Sequence, residues 1–199
     1  MTSPTNNLAT EPAPTATRLS ALLPRNEAFA RDHGPVPLAP PTAQLIVLTC
    51  LDHRVDPAVV LGLRLGDAPV IRNAGGRVTA DVVNDLAYVA FLARRVFQLP
   101  GPLFEVAVIH HTQCGTGFLA DDAFRREAAD TTGVPEDVLS ATEVADPHVT
   151  VRTDVERLLA SALLPSGVSV SGHVYDVETG RVTTTIGARD AGGDHPAAA

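Results

Sequence analysis

The sequence predicts an α/β fold in which a mainly parallel central sheet is flanked by helices. Short apolar segments alternate along the chain with longer amphipathic segments, as strands alternate with crossover helices in such folds. Aromatic residues make up only 4% of the chain, although apolar residues reach 45%. The core must therefore be built from Val, Leu, Ile and Ala, as is typical of the central strands of parallel sheets.

Four apolar regions are predicted to supply the strands. Residues 44–51 (QLIVLTCL) form a short run that follows two prolines and ends in polar residues, which is the pattern of a buried strand. The fourth region contains the turn sequence Glu178-Thr179-Gly180 and therefore predicts two strands joined by a turn. The predicted strands are 44–51, 68–72, 104–110 and a pair within 168–186.

The most strongly patterned helix is predicted to begin after Thr79. Thr79 is a suitable N-cap, Asp81 lies in the first turn, and apolar residues recur at helical spacing until Pro100. The other predicted helices cover 57–65, 117–129 and 151–164. Because strands separated by helices form parallel sheets, we expect ligands to bind beyond the carboxyl ends of the strands.

The charge and composition exclude several classes of function. The net charge of -8 disfavours binding to nucleic acid or to an anionic membrane surface, so we expect a small-molecule substrate. All 15 basic residues are Arg, which excludes Schiff-base chemistry and a P-loop lysine. The sequence has neither an apolar run of membrane-spanning length nor an export signal pattern, which predicts a cytoplasmic protein.

The chain is predicted to form one domain between two disordered ends. Residues 1–17 are rich in Thr, Pro, Ala and Asn without hydrophobic periodicity, and residues 188–199 are similar in character. The predicted organisation is therefore a disordered leader over 1–17, a single domain over 18–187 and a disordered tail over 188–199.

Three residues with metal-binding side chains follow two of the predicted strands. Cys50 lies at the carboxyl end of the first strand, and His111 and Cys114 lie just past the end of the third. If those strands are neighbours, two thiolates and one imidazole converge at one edge of the sheet. Such a set suits Zn²⁺ and leaves a fourth tetrahedral position for water, which zinc can ionise to hydroxide near neutral pH. Buried cysteines are also common without a metal, so the surrounding residues decide between these readings.

A carboxylate and a guanidinium stand next to the first cysteine. Asp52 and Arg54 follow Cys50 by two and four residues, so in an extended segment they share its side of the chain. Arg54 can hold Asp52 in a bidentate ion pair, and Asp52 can then accept a hydrogen bond from the attacking water. Without Arg54, Asp52 itself can close the fourth position.

Three short sequences resemble the signatures of the β-class carbonic anhydrases, in the family's order and approximate spacing. These are C-L-D-H-R at 50–54, R-N-A-G-G at 72–76 and H-T-Q-C-G at 111–115, and the likeness extends over about residues 20–187. The resemblance implies reversible hydration of carbon dioxide to bicarbonate on a fold whose basic unit is a homodimer, alone or as a dimer of dimers.

The resemblance also implies roles for individual residues. Cys50, His111 and Cys114 would bind Zn²⁺, and Asp52 and Arg54 would form the catalytic pair, with Asp52 as a conditional fourth ligand in a closed, inactive state. The glycine-rich turn would bring backbone close to the substrate, because glycine permits a close approach. The implied substrate pocket contains Asn73, Gly75 and Gly76.

Three other functions stay open at this stage. The same site suits hydrolysis of carbonyl sulfide or carbon disulfide, which the sequence cannot separate from hydration of carbon dioxide. A catalytically silent zinc protein is a second alternative, because His53 stands where the family commonly has a small residue and can crowd the pair. The third is a dinucleotide site at residues 115–120 (GTGFLA), which match a short glycine motif but adjoin the proposed ligand Cys114.

Overall fold

The computed structural model describes residues 17–191, which divide into two compact units with the boundary between Val36 and Pro37. The described part of the first unit contains a 3₁₀ helix, Arg18–Ala21, and helix α1, Leu23–Arg31. Neither helix buries a residue. The predicted leader lies almost entirely outside the described residues, and so does most of the predicted tail.

The second unit is built on a five-stranded sheet in the order β2-β1-β3-β4-β5. The first four strands are parallel to their neighbours, and β5 is antiparallel to β4. This arrangement confirms the predicted α/β fold with a mainly parallel sheet. The strands are β1 Leu45–Cys50, β2 Val70–Asn73, β3 Phe104–His111, β4 Val168–Asp176 and β5 Arg181–Asp190.

Helices follow the strands in chain order and supply one side of the core. The apolar stripe of α3 and that of α6 pack in one buried cluster with residues of β1, β3 and β4. At Gly172 in β4, a Cβ atom would lie 2.9 Å from Val155 of α6, so the close packing of this helix requires glycine. The α-helices of this unit are α2 Pro57–Val60, α3 Ala80–Arg95, α4 Asp122–Thr132, α5 Glu136–Thr142 and α6 Pro147–Leu159.

Several element boundaries differ from the predicted ones for local reasons. Thr79 caps α3 as expected, accepting a hydrogen bond from the Val82 amide at 3.3 Å. Helix α6 begins four residues before the predicted start, because Asp146 caps it and Pro147 occupies its first position. Helix α2 is only four residues long, and the segment predicted as one helix over 117–129 contains a 3₁₀ helix, Gly115–Ala120, followed by α4.

Two helices and one strand end were not predicted. Helices α1 and α5 have no counterpart among the predicted elements. Strand β5 continues to Asp190, and Ala191 after it is buried, so ordered structure extends past the predicted start of the tail at residue 188. Within residues 17–191, no helix has both the length and the apolar character needed to cross a bilayer.

Candidate metal centre

The three predicted ligands lie together at the carboxyl edge of the sheet. Cys50 ends β1 and His111 ends β3, and these two strands are adjacent and parallel, with Thr49 opposite Ile109. Cys114 follows three residues after His111. Cys50, His111 and Cys114 are only 3%, 1% and 8% exposed, and their ligand atoms lie within 4.8 Å of one another. The two strands that carry Cys50 and His111 are therefore neighbours, as the predicted site requires.

The orientation of His111 leaves one ring nitrogen available to a metal. Its Nδ1 lies 2.9 Å from the carbonyl oxygen of Thr112 and must donate to it, because a carbonyl only accepts. The other nitrogen, Nε2, then carries a lone pair. This Nε2 is the one buried side-chain nitrogen or oxygen of residues 17–191 without a hydrogen-bond partner. A buried polar atom left unpaired is costly, and a metal ion would satisfy it.

The spacing of the two sulfurs also fits zinc. The Sγ atoms of Cys50 and Cys114 are 3.9 Å apart. In a tetrahedral site with zinc–sulfur bonds of about 2.3 Å, two sulfurs lie about 3.8 Å apart. The two sulfurs are thus held at the separation that a tetrahedral Zn²⁺ needs, with the imidazole nitrogen of His111 within 4.8 Å of both.

The two sulfurs shift each other's pKa in opposite directions. The hydrogen bond with Cys50, helped by the Thr116 hydroxyl 3.1 Å from its sulfur, lowers the pKa of Cys114 to about 6. The same hydrogen bond, together with burial, raises the pKa of Cys50 to about 12. Either sulfur can be the donor of the hydrogen bond between them. A bound metal ion would hold both sulfurs as thiolates.

Asp52 and Arg54 form the predicted ion pair beside the sulfurs. Nε of Arg54 donates to Oδ1 of Asp52 at 3.0 Å, and the terminal nitrogen NH2 donates to Oδ2 at 2.6 Å. The Arg54 amide donates to Oδ1 as well, at 2.9 Å. These hydrogen bonds hold the pKa of Asp52 far below its usual range, so the carboxylate stays ionised. Asp52 lies with Arg54 and not in the group of metal-binding atoms.

His53 does not disturb this pair. Its side chain is 94% exposed, and its Nδ1 is 3.7 Å from Oδ1 of Asp52, beyond hydrogen-bond distance. Both Asp52 oxygens accept from Arg54 in its presence. The expected crowding of the pair by His53 is absent from this arrangement.

The glycine-rich turn approaches the metal site through its backbone. A Cβ atom on Gly76 would lie 2.8 Å from the Cys50 amide nitrogen, so only glycine fits against the end of β1. Asn73 closes the same turn, donating to the Arg77 carbonyl and accepting from the Arg77 amide, both at 2.8 Å. Gly75 has a φ of 76° and is likewise buried in the turn.

A cavity of about 410 Å³ opens beside the cysteines. Of the glycine-rich turn, Ala74 lines it, whereas Asn73, Gly75 and Gly76 shape the turn behind it. The substrate-pocket role of those three residues stays a prediction. The lining consists of Cys50, Leu51, Asp52, His53, Ala74, Cys114, Gly115 and Thr116.

Two further residues support the site but were not identified from the sequence. Arg72 on β2 donates to the Cys50 carbonyl at 3.0 Å and to the Asp52 carbonyl at 2.7 Å, and so fixes the segment that follows β1. Gln113 accepts a hydrogen bond from NH2 of Arg54 at 2.9 Å through its carbonyl oxygen. Arg72 lies within the quoted R-N-A-G-G sequence, but only the strand register shows what it contacts.

Comparison with known proteins identifies the family. The carbonic anhydrase family model matches residues 45–149. The chain is 34% identical to β-carbonic anhydrase 1 of Mycobacterium tuberculosis over an alignment of 149 residues. The alignment covers 75% of this chain and 85% of that protein. The chain belongs to the β-carbonic anhydrase family. The crystal structure of carbonic anhydrase from Streptococcus mutans superposes with a TM-score of 0.68 at 32% identity, covering 86% of this chain and 99% of that one.

The family relatives carry more than one activity in their names. A carbon disulfide hydrolase of Acidianus sp. strain A1-3 is 32% identical over 166 residues, covering 72% of this chain and 78% of that protein. Membership of the β-carbonic anhydrase family therefore supports a carbonic anhydrase-type enzyme and leaves its substrate to be decided.

The dinucleotide alternative does not fit this site. Residues Gly115–Ala120 form a 3₁₀ helix and not the first turn of a long α-helix, which a pyrophosphate site of that kind requires. A Cβ atom on Gly117 would lie 3.0 Å from the Val144 carbonyl oxygen, so this glycine serves close packing against the chain at Val144.

Proposed function

We propose that this protein is a zinc enzyme that catalyses the reversible hydration of carbon dioxide to bicarbonate and a proton. The observation that carries the proposal is the coexistence of two features at one sheet edge. Three ligand atoms within 4.8 Å of one another, among them the unpaired Nε2 of His111, could hold a metal ion. Beside them, Arg54 holds the Asp52 carboxylate, which would otherwise be available as a fourth ligand.

The residues of the site have two roles in this proposal: three would hold the metal, and Asp52 would orient the attacking water. Cys50, His111 and Cys114 would hold the ion. A bound Zn²⁺ would supply the Lewis acid that brings the pKa of a water in its fourth position to about 7. Because Asp52 is ionised, it accepts a hydrogen bond from the attacking water and cannot donate one. It thereby turns the oxygen lone pair toward the carbon of the substrate.

Arg54 decides which of two arrangements Asp52 adopts. With both carboxylate oxygens bound to the guanidinium, Asp52 stays beside the fourth position and leaves it free. If Arg54 releases it, the carboxylate can close that position and stop the reaction. The proposed roles of Asp52 as catalytic residue and as conditional fourth ligand are therefore two states of one side chain.

A second candidate function is hydrolysis of carbon disulfide or carbonyl sulfide at the same site. The 32% identity to a carbon disulfide hydrolase favours including it. Attack of water on the central carbon is the same step in each case, and the products differ because sulfide leaves. The ligands and the Asp52–Arg54 pair would serve either reaction.

Stopped-flow measurement of carbon dioxide hydration tests the proposal. Zinc-loaded protein, with the metal content of each sample measured, is assayed between pH 7 and pH 9 beside Asp52→Ala, and sulfide release from carbon disulfide and carbonyl sulfide is followed in parallel. We expect hydration well above the buffer rate for the wild type. Full zinc occupancy with no rate above buffer would refute the hydratase, and sulfide release alone would assign the second function.

The working unit is proposed to be a homodimer or a dimer of dimers of the domain predicted over residues 18–187. The support is the family resemblance, and light scattering of purified protein measures the assembly directly. A cytoplasmic location remains a prediction of the sequence.

A further inference from the structure

We propose that Glu178 is a positioning residue for the Asp52–Arg54 pair. It lies on the hairpin between β4 and β5 and tethers the side chain of Gln113. The tether keeps Gln113 in a left-handed backbone conformation that presents its carbonyl oxygen to Arg54. The inference rests on the proposed function, because it concerns the residues that would orient the attacking water.

The backbone of Gln113 is in an unfavourable conformation. Its φ is 54°, in the left-handed region that residues with a Cβ rarely occupy. Such conformations persist where surrounding contacts enforce them, and they cluster at functional sites. Two other glutamines, Gln44 and Gln98, also have positive φ. In the part of the chain that the structure describes, Gln113 differs from them in that its side-chain amide is hydrogen-bonded.

The bond that enforces this conformation comes from a distant part of the chain. Nε2 of Gln113 donates to Oε1 of Glu178 at 2.6 Å, across 65 residues of sequence. A bond from an amide to a carboxylate is charge-assisted and therefore stronger than one between neutral groups. Both ends are exposed, so we expect an effect on geometry that exceeds the effect on folding stability.

The hairpin that carries Glu178 is itself held in place next to Gln113. Asp176 accepts a hydrogen bond from the Glu178 amide at 2.8 Å, which fixes the turn. Thr112 joins the hairpin at two points: its amide donates to the Tyr175 carbonyl at 3.0 Å, and its hydroxyl accepts from the Val177 amide at 3.1 Å. These hydrogen bonds therefore hold Glu178 in a fixed position next to Gln113.

The position of the Gln113 carbonyl affects how Arg54 is held. The NH2 group of Arg54 has two acceptors, Oδ2 of Asp52 at 2.6 Å and the carbonyl oxygen of Gln113 at 2.9 Å. If Gln113 relaxed to a negative φ, its carbonyl would turn away and Arg54 would lose the acceptor on the β3 side. The guanidinium would then hold Asp52 less firmly, and the carboxylate would spend more time out of position.

Four variants separate the tether from the charge of Glu178. Glu178→Ala removes the acceptor, whereas Glu178→Gln keeps a carbonyl acceptor without the charge. Gln113→Gly allows the positive φ without any tether, because glycine adopts it freely. The double variant Gln113→Gly with Glu178→Ala tests whether Glu178 acts through Gln113. Glu156→Ala is the matched control, since it removes another exposed carboxylate, which pairs with Arg189 elsewhere on the surface.

We expect kcat/KM for hydration to fall about three- to tenfold in Glu178→Ala, the size of one lost hydrogen bond, mainly through kcat. Glu178→Gln should recover most of the rate, and Glu156→Ala should match the wild type. In the Gln113→Gly background, Glu178→Ala should cause no further loss. An equal loss in that background, or a loss in Glu178→Gln as large as in Glu178→Ala, would overturn the proposal.

A second readout does not depend on activity. Nuclear magnetic resonance of the Arg54 Nε–H group, assigned with Arg54→Lys, reports how firmly Asp52 holds it, since Nε donates to Oδ1 at 3.0 Å. We expect hydrogen exchange of this group to quicken about three- to tenfold in Glu178→Ala, with the free energy of unfolding unchanged. Unchanged exchange would contradict the positioning role. If the wild type hydrated no carbon dioxide, the proposed function would fail while this signal still tested the tether.

Discussion

The molecule contains two arginine–aspartate pairs that differ in burial. Asp52 and Arg54, beside the sulfurs, have side chains that are 13% and 40% exposed. Asp154 and Arg77, in the interior, are 0% and 8% exposed. In both pairs the guanidinium binds its carboxylate through Nε and NH2. The same chemical pair thus occurs in a partly exposed position beside the candidate metal ligands and in a fully packed position in the core.

The buried pair is satisfied on every side. Asp154 accepts from Arg77 Nε at 2.6 Å, from the Val78 amide at 3.2 Å and from Arg157 at 3.4 Å, and it lies 3.3 Å from His110 Nε2. Arg77 also donates to the Glu143 carbonyl. These contacts tie α6 to the glycine-rich turn and to β3. Removing one partner would leave a buried charge unpaired, which is the expensive way to break such a network.

The two regions meet at adjacent residues of β3. His111 turns toward the sulfurs, whereas His110 turns toward Asp154 and also lies 3.3 Å from the Gly76 carbonyl oxygen. Alternation along the strand therefore sends one histidine to the candidate metal and the next to the core. His110 therefore belongs to the buried network and lies outside the group of metal-binding atoms.

The largest expected effect comes from breaking the buried pair. Asp154→Ala should lower the free energy of unfolding by about 3 to 5 kcal/mol, because Arg77 is left without its partner. Asp52→Ala should lower it by less than about 1 kcal/mol, since that pair is partly exposed. Urea denaturation of both zinc-loaded variants measures the difference. Equal losses in the two variants would show that the pairs do not have separate roles.

Asp52→Ala, the variant with the smaller expected loss of stability, should have the larger effect on activity. Asp52→Ala should reduce kcat/KM for carbon dioxide hydration by about a hundredfold or more, the loss expected when the group that orients the attacking water is removed. Zinc content should stay at that of the wild type, because the three ligands remain. Stopped-flow assays with metal analysis check both points. A variant that retained wild-type activity with full zinc would remove Asp52 from the mechanism.

A smaller change tests the geometry of the exposed pair. Arg54→Lys keeps the positive charge but cannot bind both carboxylate oxygens, so we expect kcat/KM to fall about tenfold. Arg64→Lys is the matched control, because Arg64 pairs with Asp67 on the surface and contacts none of the ligands. Equal activity in the two variants would mean that charge alone is sufficient at position 54.

The smallest effect concerns the pH dependence of stability. Burial alone would raise the pKa of Asp154, but hydrogen bonds from His110 and Arg77 outweigh it and hold the pKa below its usual range. A lowered pKa in the folded state adds stability above the unfolded value of about 3.9, and this stability is lost as the pH falls through the folded value.

The stability difference between wild type and Asp154→Asn should therefore be constant near neutral pH. It should begin to shrink only as the pH falls below about 4. Denaturation curves between pH 7 and pH 3 provide the comparison. A difference that grew toward low pH would show that the pKa of Asp154 is not lowered by folding.

The sequence predicted what depends on local pattern and on strand order. The apolar run before Cys50 and the stripe after Thr79 identified β1 and α3, because burial there follows a simple period. The convergence of Cys50 with His111 followed from the rule that parallel strands end at one edge. The family signatures then supplied the assignment of Asp52 and Arg54, which spacing alone left open.

What the sequence missed depends on contacts between distant residues. Asp154 lies 77 residues from Arg77, and Glu178 lies 65 residues from Gln113, so no local pattern pairs them. The positive φ of Gln113 is also invisible, since glutamine has no preference for it. Helix α1 buries no residue of its own, and its sequence therefore lacks the strong apolar stripe by which α3 was recognised.

A crystal structure of the zinc-loaded protein at about pH 8 would show directly whether the three predicted ligands hold zinc in an open site. We expect one zinc ion bound by Sγ of Cys50, Nε2 of His111 and Sγ of Cys114, with Asp52 on Arg54 and the fourth position open to the cavity. Zinc bound elsewhere, or bound with the Asp52 carboxylate in the fourth position at that pH, would contradict this expectation.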